Sequence, residues 1–484
     1  MHDSGFYRRV LTGFAWQGAS KAVVQSVSWI GTIVVARLLE PADYGVVAVA
    51  NVFIVMLNLV MEMGLSQGLV QKTEVSREEE DGVFWLGVVS GLALYLLLYL
   101  AAPIVADFYA MPILEAVLRV GGLVLIIGSV KAVPVALVMR RMDFRLRALC
   151  EMSAAAASIV AVVTLAFMGA GVWSLVIGTV VQTVVLVVGY LPTLGRLPRP
   201  TFRLAPIMGI VRFGLHLMAG NLAFVVSNRA DIFVIGKFLG ERMTGYYSIG
   251  FMLATMPLDK IGSIFNHVAF SSLSRTKDDP QQCRALFMEL HRQLLFITYP
   301  LLVGMALVVS DAVTVFLTDK WLPVVPVTQV LVVVGAVRVS GMLMPPLLNS
   351  RGHARWSLAY SMAGMVLLPA AFLVGVQYGL TGVAVAWIAA YPLLYAMLLR
   401  YLRKDLGIRL SELLEAGRST LVAVACMAVA VMAVQHYAHA ASPGVRLGLS
   451  VIAGVVAYAG TFLMFYEEQI SRMRDAVRLL RTRT

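Results

Sequence analysis

Long apolar runs alternate with short polar connections along the whole chain. Fourteen runs of about 20 residues can be drawn, at approximately 11–36, 44–70, 83–106, 116–139, 148–168, 171–192, 213–239, 245–272, 293–317, 324–349, 356–376, 380–402, 419–438 and 444–466. A helix of roughly 20 residues crosses about 30 Å of hydrocarbon, so each run predicts one membrane span. The pattern predicts an all-α integral membrane protein of about 14 transmembrane helices, numbered here as spans 1 to 14.

Charge orients the spans. The odd-to-even connections, with the span ends beside them, hold six of the 39 Lys and Arg: Arg37, Arg119, Lys237, Arg242, Lys320 and Arg446. The termini and even-to-odd connections hold 28, and five lie inside spans. Basic residues stay on the cytoplasmic side, so both termini and the loops near 77, 145, 200, 277 and 405 are expected there, with those near 41, 241 and 440 outside. Composition agrees: 60% of residues are hydrophobic and 14% charged, with a mean hydropathy of +0.83. The net charge of +12 is spread over the cytoplasmic segments, which suits topology and anionic headgroups rather than nucleic acid. The first run carries Lys21 and follows Arg8 and Arg9, so it reads as an uncleaved first span of a multi-pass membrane protein. Cys150, Cys283 and Cys426 are isolated, and no spacing suggests a metal site or a cofactor.

The chain repeats itself. Shifted by 200 positions, VARLLEPADYGVVAVA (35–50) falls on IGKFLGERMTGYYSIG (235–250), with Gly45 on Gly245. The turn GAGV (169–172) is echoed by GLTGV (379–383). These matches imply two pseudo-symmetric six-helix bundles, 1–200 and 201–405, and a segment 406–484 with two further helices and a basic cytoplasmic tail. Repeats in the same orientation relate by an axis along the membrane normal and commonly enclose a cavity.

The strings RLLEPADYG (37–45), GAGVW (169–173), DIFVIGKFLG…GYYSIG (231–250), AFSSLSRTKDD (269–279) and TDKW (318–321) resemble the Wzx-type polysaccharide flippases of the multidrug/oligosaccharidyl-lipid/polysaccharide (MOP) exporter superfamily. The resemblance covers about residues 10–405. One departure is Ser271, where the family often has a proline; its absence is expected to straighten the end of span 8. The resemblance implies a V of two bundles, as in the MATE transporters, around a cavity lined largely by spans 1, 2, 7 and 8. It also implies a role in moving undecaprenyl-diphosphate-linked oligosaccharide between leaflets. The lipid-linked oligosaccharide, membrane lipids, and a polysaccharide polymerase with its export machinery are the partners so implied.

The residues point to the same place independently. Lys21, Lys131, Arg229, Lys260, Arg338, Glu62, Asp231 and Asp259 all lie inside apolar spans, where each costs about 2.5–3.5 kcal/mol on insertion scales. Span 1 carries a polar stripe at Gln17, Lys21, Gln25, Ser28 and Thr32; span 2 adds Asn51, Asn58 and Glu62; span 7 adds Asn221, Ser227, Asn228 and Asp231; span 8 adds Asp259, Ser263 and Asn266. Lipid cannot satisfy such groups, so they should face one another or water. Gln17, Lys21, Gln25, Asn58, Asn221, Asn228, Arg229 and Lys260 are candidate cavity residues, with the cations offsetting a lipid diphosphate. Glu62, Asp231 and Asp259 are candidates for ion coupling or for ion pairing. The plainer alternatives are a structural pair at Arg229 and Asp231, pairing of Glu62 with Lys21, and pairing or snorkelling of Lys131 and Arg338. The acidic run EVSREEED (74–81) reads as a solvated loop. Pro134, Pro257, Pro300, Pro369, Pro392 and the pair Pro345-Pro346 mark expected kinks.

Enzyme chemistry is the competing class. A membrane glycosyltransferase or polymerase normally carries a sizeable extramembrane domain, whereas the longest hydrophilic connection here is about 20 residues, near 273–292. No phosphate-binding glycine loop is present, so no catalytic residue is assigned. Another exporter of the same superfamily, for lipid II or for drugs and cations, stays open.

Overall fold

A computed structural model describes residues 29, 31–72, 74–201, 203 and 205–465, apart from the side chains of 216, 217, 219, 257, 259, 267, 354 and 465. Every regular element among them is helical. By contact the chain divides into Met1–Gly245 and Tyr246–Thr484.

The first unit holds α1 (31–38), α2 (Pro41–Glu62), α3 (Leu65–Gln71), α4 (Arg77–Tyr109), α5 (Pro112–Gly121), α6 (Leu123–Ser129), α7 (Ala132–Arg140), α8 (Phe144–Phe167) and α9 (Val172–Tyr190). It ends within α10 (Met208–Arg275). A straight helix of 68 residues would be about 100 Å long, roughly three bilayer cores. Gly240 breaks it, with φ 81° and ψ −180°, a conformation open to glycine. The equivalent break in the first half lies at Leu39 and Glu40, where Pro41 starts α2. The echoed turns also agree in conformation: Gly169, Gly171 and Gly379 all have positive φ.

Small residues set the helix spacing in this unit. A Cβ on Gly91 would lie 2.7 Å from Ser129 Cβ on α6, one on Gly68 2.7 Å from Ile210 Cγ2, and one on Gly236 2.8 Å from Val49 Cγ2. The motifs GLSQG (64–68) and GVVSG (87–91) thus pack closely at both glycines, and GKFLG (236–240) does so at Gly236 alone. Two of the six cations on the sparse side are covered by rings: Arg119 lies 4.4 Å over Tyr99 and Lys237 4.4 Å over Phe108.

The second unit continues α10 and adds α11 (Pro280–Ala312), α12 (Val324–Gly341), α13 (Met344–Ser350), α14 (Ala354–Gly375), α15 (Gly379–Asp405), α16 (Leu410–Tyr437) and α17 (Pro443–Phe465). α11 packs on α12 and α16, α14 on α15, and α16 on α17. The buried Asp311, 4% exposed, is held by Arg446 and joins α11 to α17. The expected departure at Ser271 matches a helix that runs unbroken to Arg275. Pro345 and Pro346 follow the break between α12 and α13.

Eleven helical runs among the described residues are long and apolar enough to cross a membrane, against about fourteen expected spans. Two of the runs, Ala205–Met256 and Arg355–Asp405, contain 52 and 51 residues and include the breaks at Gly240 and Gly379. Most of the first expected span lies outside the described residues.

Two expectations need correction. The hydrophilic stretch at 273–292 is mostly helix, since α10 ends at Arg275 and α11 starts at Pro280. Asp279 caps α11 by accepting from the Gln281 and Gln282 amides at 3.0 Å, and Pro280 supplies a preset first turn. The acidic run 74–81 is not a solvated loop. Ser76 and Glu79 form a capping box that starts α4, and Glu79 and Asp81 are 5% and 7% exposed. Each acid has a cation, Lys72 for Glu79 and Arg196 for Asp81, which is the condition for burying a carboxylate.

Candidate functional site

Two helices of the first unit break inside their apolar runs. α2 stops at Glu62, and Met63 and Gly64 turn left-handed, with φ 38° and 62°, before α3 begins. α6 stops at Ser129, and α7 resumes at Ala132, with Lys131 at its N-cap and Pro134 in its first turn. Broken backbone needs new partners, and polar side chains provide them. Ser66 Oγ donates to the Ala132 carbonyl at 3.1 Å. The Arg140 guanidinium donates to the Leu69 carbonyl at 2.7 Å and to that of Lys72. The short α3 and α7 therefore pack together around Leu65, Leu69, Val133 and Ala136.

A cavity of about 430 Å³ opens beside these breaks. Glu62, Ser66, Gln67, Gln71, Lys131 and Tyr190 give it a polar lining together with Arg147 and Glu151. Arg147 and Glu151 neutralise one another at 2.8 Å. Glu62 and Lys131 line the same space, and among the described residues neither makes an ion pair. A carboxylate and an ammonium thus face a polar space at two helix discontinuities, which is how membrane carriers satisfy irregular backbone at depth.

The other sequence candidates are distributed as follows. Asn58 is half-buried on α2, one turn before Glu62. On α10, Asn221 and Arg229 are exposed, and Asn228 is half-buried with its amide donating to the Phe224 carbonyl at 2.9 Å. Asp231 is 1% exposed, and its Oδ1 accepts from the Ile232 amide at 2.8 Å. Residues two apart on a helix point to different faces, so exposed Arg229 and buried Asp231 meet different surroundings. Lys260 is exposed and belongs to the second unit. Gln17, Lys21, Gln25 and the side chain of Asp259 lie outside the described residues.

In the second unit Arg338 lies among aromatic rings, 5.5 Å from Trp387, 5.7 Å from Tyr391 and 6.0 Å from Phe251. The ring quadrupoles stabilise a cation in that setting. Trp387 is fully buried and donates from its indole nitrogen to Tyr247 Oη at 2.9 Å, which fixes one wall. Sequence reasoning missed these rings. Trp387 and Tyr391 are four positions apart on α15, so a one-face aromatic pair was the available signal.

Comparison with known proteins agrees with this picture. A family model described as polysaccharide biosynthesis protein matches residues 34–326. The teichuronic acid biosynthesis protein TuaB of Bacillus subtilis is 23% identical, over 98% of this chain and 99% of TuaB. The lipopolysaccharide biosynthesis protein WzxC of Escherichia coli is 24% identical over 78% of each chain. Among solved structures, the lipid II flippase MurJ in an inward closed conformation superposes with a TM-score of 0.77 at 13% identity, covering 94% of this chain and 99% of MurJ. An inward-facing MATE family multidrug transporter of the MOP superfamily gives 0.61 at 16% identity, covering 78% and 95%. The fold is that of these transporters, and the resemblance to Wzx-type flippases holds. This multi-pass membrane chain, with polar groups gathered at breaks in its spans, belongs to the polysaccharide biosynthesis protein family.

Proposed function

We propose that the protein flips undecaprenyl-diphosphate-linked oligosaccharide units across the bacterial inner membrane for surface polysaccharide assembly. The observation that carries this reading is a family match to polysaccharide biosynthesis proteins in a chain whose described residues lie mostly in helices long and apolar enough to cross a bilayer. Such a chain acts on material that must cross the bilayer, and the sugar of a lipid-linked unit is too polar to cross unaided. In this reading fourteen spans form two six-helix halves and a C-terminal pair, with both termini cytoplasmic. Lys21, Arg229 and Lys260 offset the diphosphate, while Asn58, Asn221 and Asn228 meet sugar hydroxyls. Gln17 and Gln25 extend that polar lining.

Alternating access needs an energy source, and a carboxylate among Glu62, Asp231 and Asp259 supplies the exchangeable charge. Glu62 is favoured by its place in a polar cavity without an ion-pair partner among the described residues. Deletion of the gene, followed by extraction of lipid-linked sugars, tests the reading. Accumulated lipid-linked repeat units and missing surface polymer are expected. Unchanged polymer, or accumulation of lipid II instead, would point to a different cargo within the superfamily.

A further inference from the structure

A second cavity of the first unit, about 620 Å³, lies at the start of α4, apart from the breaks described above. Arg77, Glu78 and Asp81 of α4 face Arg196, Arg199 and Arg203 of the segment that follows α9. Two anchors hold that segment in place. The Trp85 indole donates to the Pro198 carbonyl at 3.2 Å, and the Arg196 guanidinium donates to both Asp81 oxygens at 2.9 and 3.0 Å. Asp81 is buried, 7% exposed, and Trp85 and Arg196 are half-buried, so the segment is fixed while Arg77, Glu78, Arg199 and Arg203 stay open to solvent.

The charge in the cavity does not balance. Asp81 is satisfied by Arg196, and Glu79 turns to Lys72. Arg77, Arg199 and Arg203 remain against the single carboxylate of Glu78, and among the described residues none of the three makes an ion pair. Topology asks for arginines on the cytoplasmic side. It does not ask that three of them, all exposed, line one concavity, where an anion would relieve their mutual repulsion. All four cations are Arg and none is Lys. The guanidinium fork matches phosphate oxygens in pairs, and a lysine ammonium does not. Buried Val83, Phe84 and Ile207 follow within four residues of the lining side chains. The apolar run drawn at 83–106 begins two residues after Asp81, so the cavity sits at the end of that expected span.

We propose that this cavity binds a phosphate group at the cytoplasmic surface, from the headgroup of an anionic membrane lipid. The assignment is independent of the transported cargo. It is tested on the full-length protein, delipidated in detergent and titrated with phosphatidylglycerol or phosphatidylcholine under native mass spectrometry. Wild type should prefer phosphatidylglycerol, and R77Q/R199Q/R203Q should lose on the order of a hundredfold of that preference, about what three surface cations at roughly fivefold each supply. R77K/R199K/R203K keeps the charge without the fork and should fall between; it also covers the case in which the glutamine variant does not fold. Inorganic phosphate, read as protection against thermal unfolding, forms the second arm. Arginine-dependent lipid preference without phosphate protection assigns the site to lipid, and arginine-dependent phosphate protection alone assigns it to a soluble phosphate. If neither response changes more than about twofold in any variant that folds, the proposal is overturned.

Discussion

Gly45 and Gly245 occupy equivalent positions in the two copies of the sequence repeat, and each packs against the backbone beside the other. A Cβ at Gly45 would lie 2.6 Å from the Glu241 carbonyl carbon and 3.0 Å from the Gly245 nitrogen. A Cβ at Gly245 would lie 2.6 Å from the Pro41 carbonyl carbon and 3.2 Å from its Cα. Carbon atoms pack best at about 3.5–4.0 Å, so the overlap is roughly 1 Å. The obstacle is backbone, which cannot rotate aside, so α2 and α10 must part. Overpacking of this kind costs about 1–3 kcal/mol, while replacing a helical glycine by alanine returns up to about 1 kcal/mol. The net expectation for Gly45→Ala or Gly245→Ala is about 1–2 kcal/mol of destabilisation. Because one separation relieves both overlaps, the double variant should lose less than the two single losses combined. Thermal unfolding of the purified protein in detergent measures this, with Gly448→Ala as control, since nothing lies within 4 Å of a Cβ there. A midpoint for Gly45→Ala equal to or above that of Gly448→Ala would refute the reasoning.

Four further outcomes are expected. Asp311→Asn leaves Arg446 without its buried partner and should cost about 3–5 kcal/mol, with Asp311→Asn/Arg446→Gln recovering part of the lost unfolding midpoint; a single variant as stable as wild type would contradict the pairing. Glu62→Gln and Lys131→Gln should each cut polymer export more than tenfold at unchanged protein level, whereas Arg338→Lys should lower stability by about 1–2 kcal/mol through weaker aromatic contact, read as a lower unfolding midpoint; full export in both cavity variants would remove that cavity from the transport path. Burial pushes the Glu79 carboxyl up, but Lys72 and the Ser76 amide outweigh it and hold it below the usual carboxylate range. Its stabilising contribution is therefore present above the ordinary carboxylate pKa and lost as pH falls through the lowered one, so wild type and Glu79→Gln should converge in midpoint on acidification; a gap that widens at low pH would reverse the sign.

Much of the fold is written in hydropathy and spacing. The 200-residue shift places Gly45 on Gly245, and the structure has those two glycines at one close approach. The small-residue motifs likewise become tight helix contacts at Gly68, Gly91 and Gly236. Helix ends were less legible, because hydropathy reports contact with lipid while a helix continues wherever its caps and hydrogen bonds allow. α11 thus starts at Pro280, well before the apolar run at 293. The acidic run was misread for a related reason: the partner that buries Asp81 is Arg196, 115 positions away. The polar cavity was the least legible feature. Gly64 and Pro134 hint at breaks, but only the packing of α3 on α7 puts Glu62 and Lys131 beside the same space.

The central claim is that this chain moves a lipid-linked oligosaccharide between leaflets. The most direct test is reconstitution of the purified protein into liposomes carrying a short undecaprenyl-diphosphate oligosaccharide in the inner leaflet, with an external glycosidase reporting sugar that reaches the outside. The account predicts protein-dependent cleavage of the inner pool, accelerated by an imposed ion gradient and reduced in Glu62→Gln. Cleavage no faster than in protein-free liposomes, with the protein folded and correctly inserted, would contradict it.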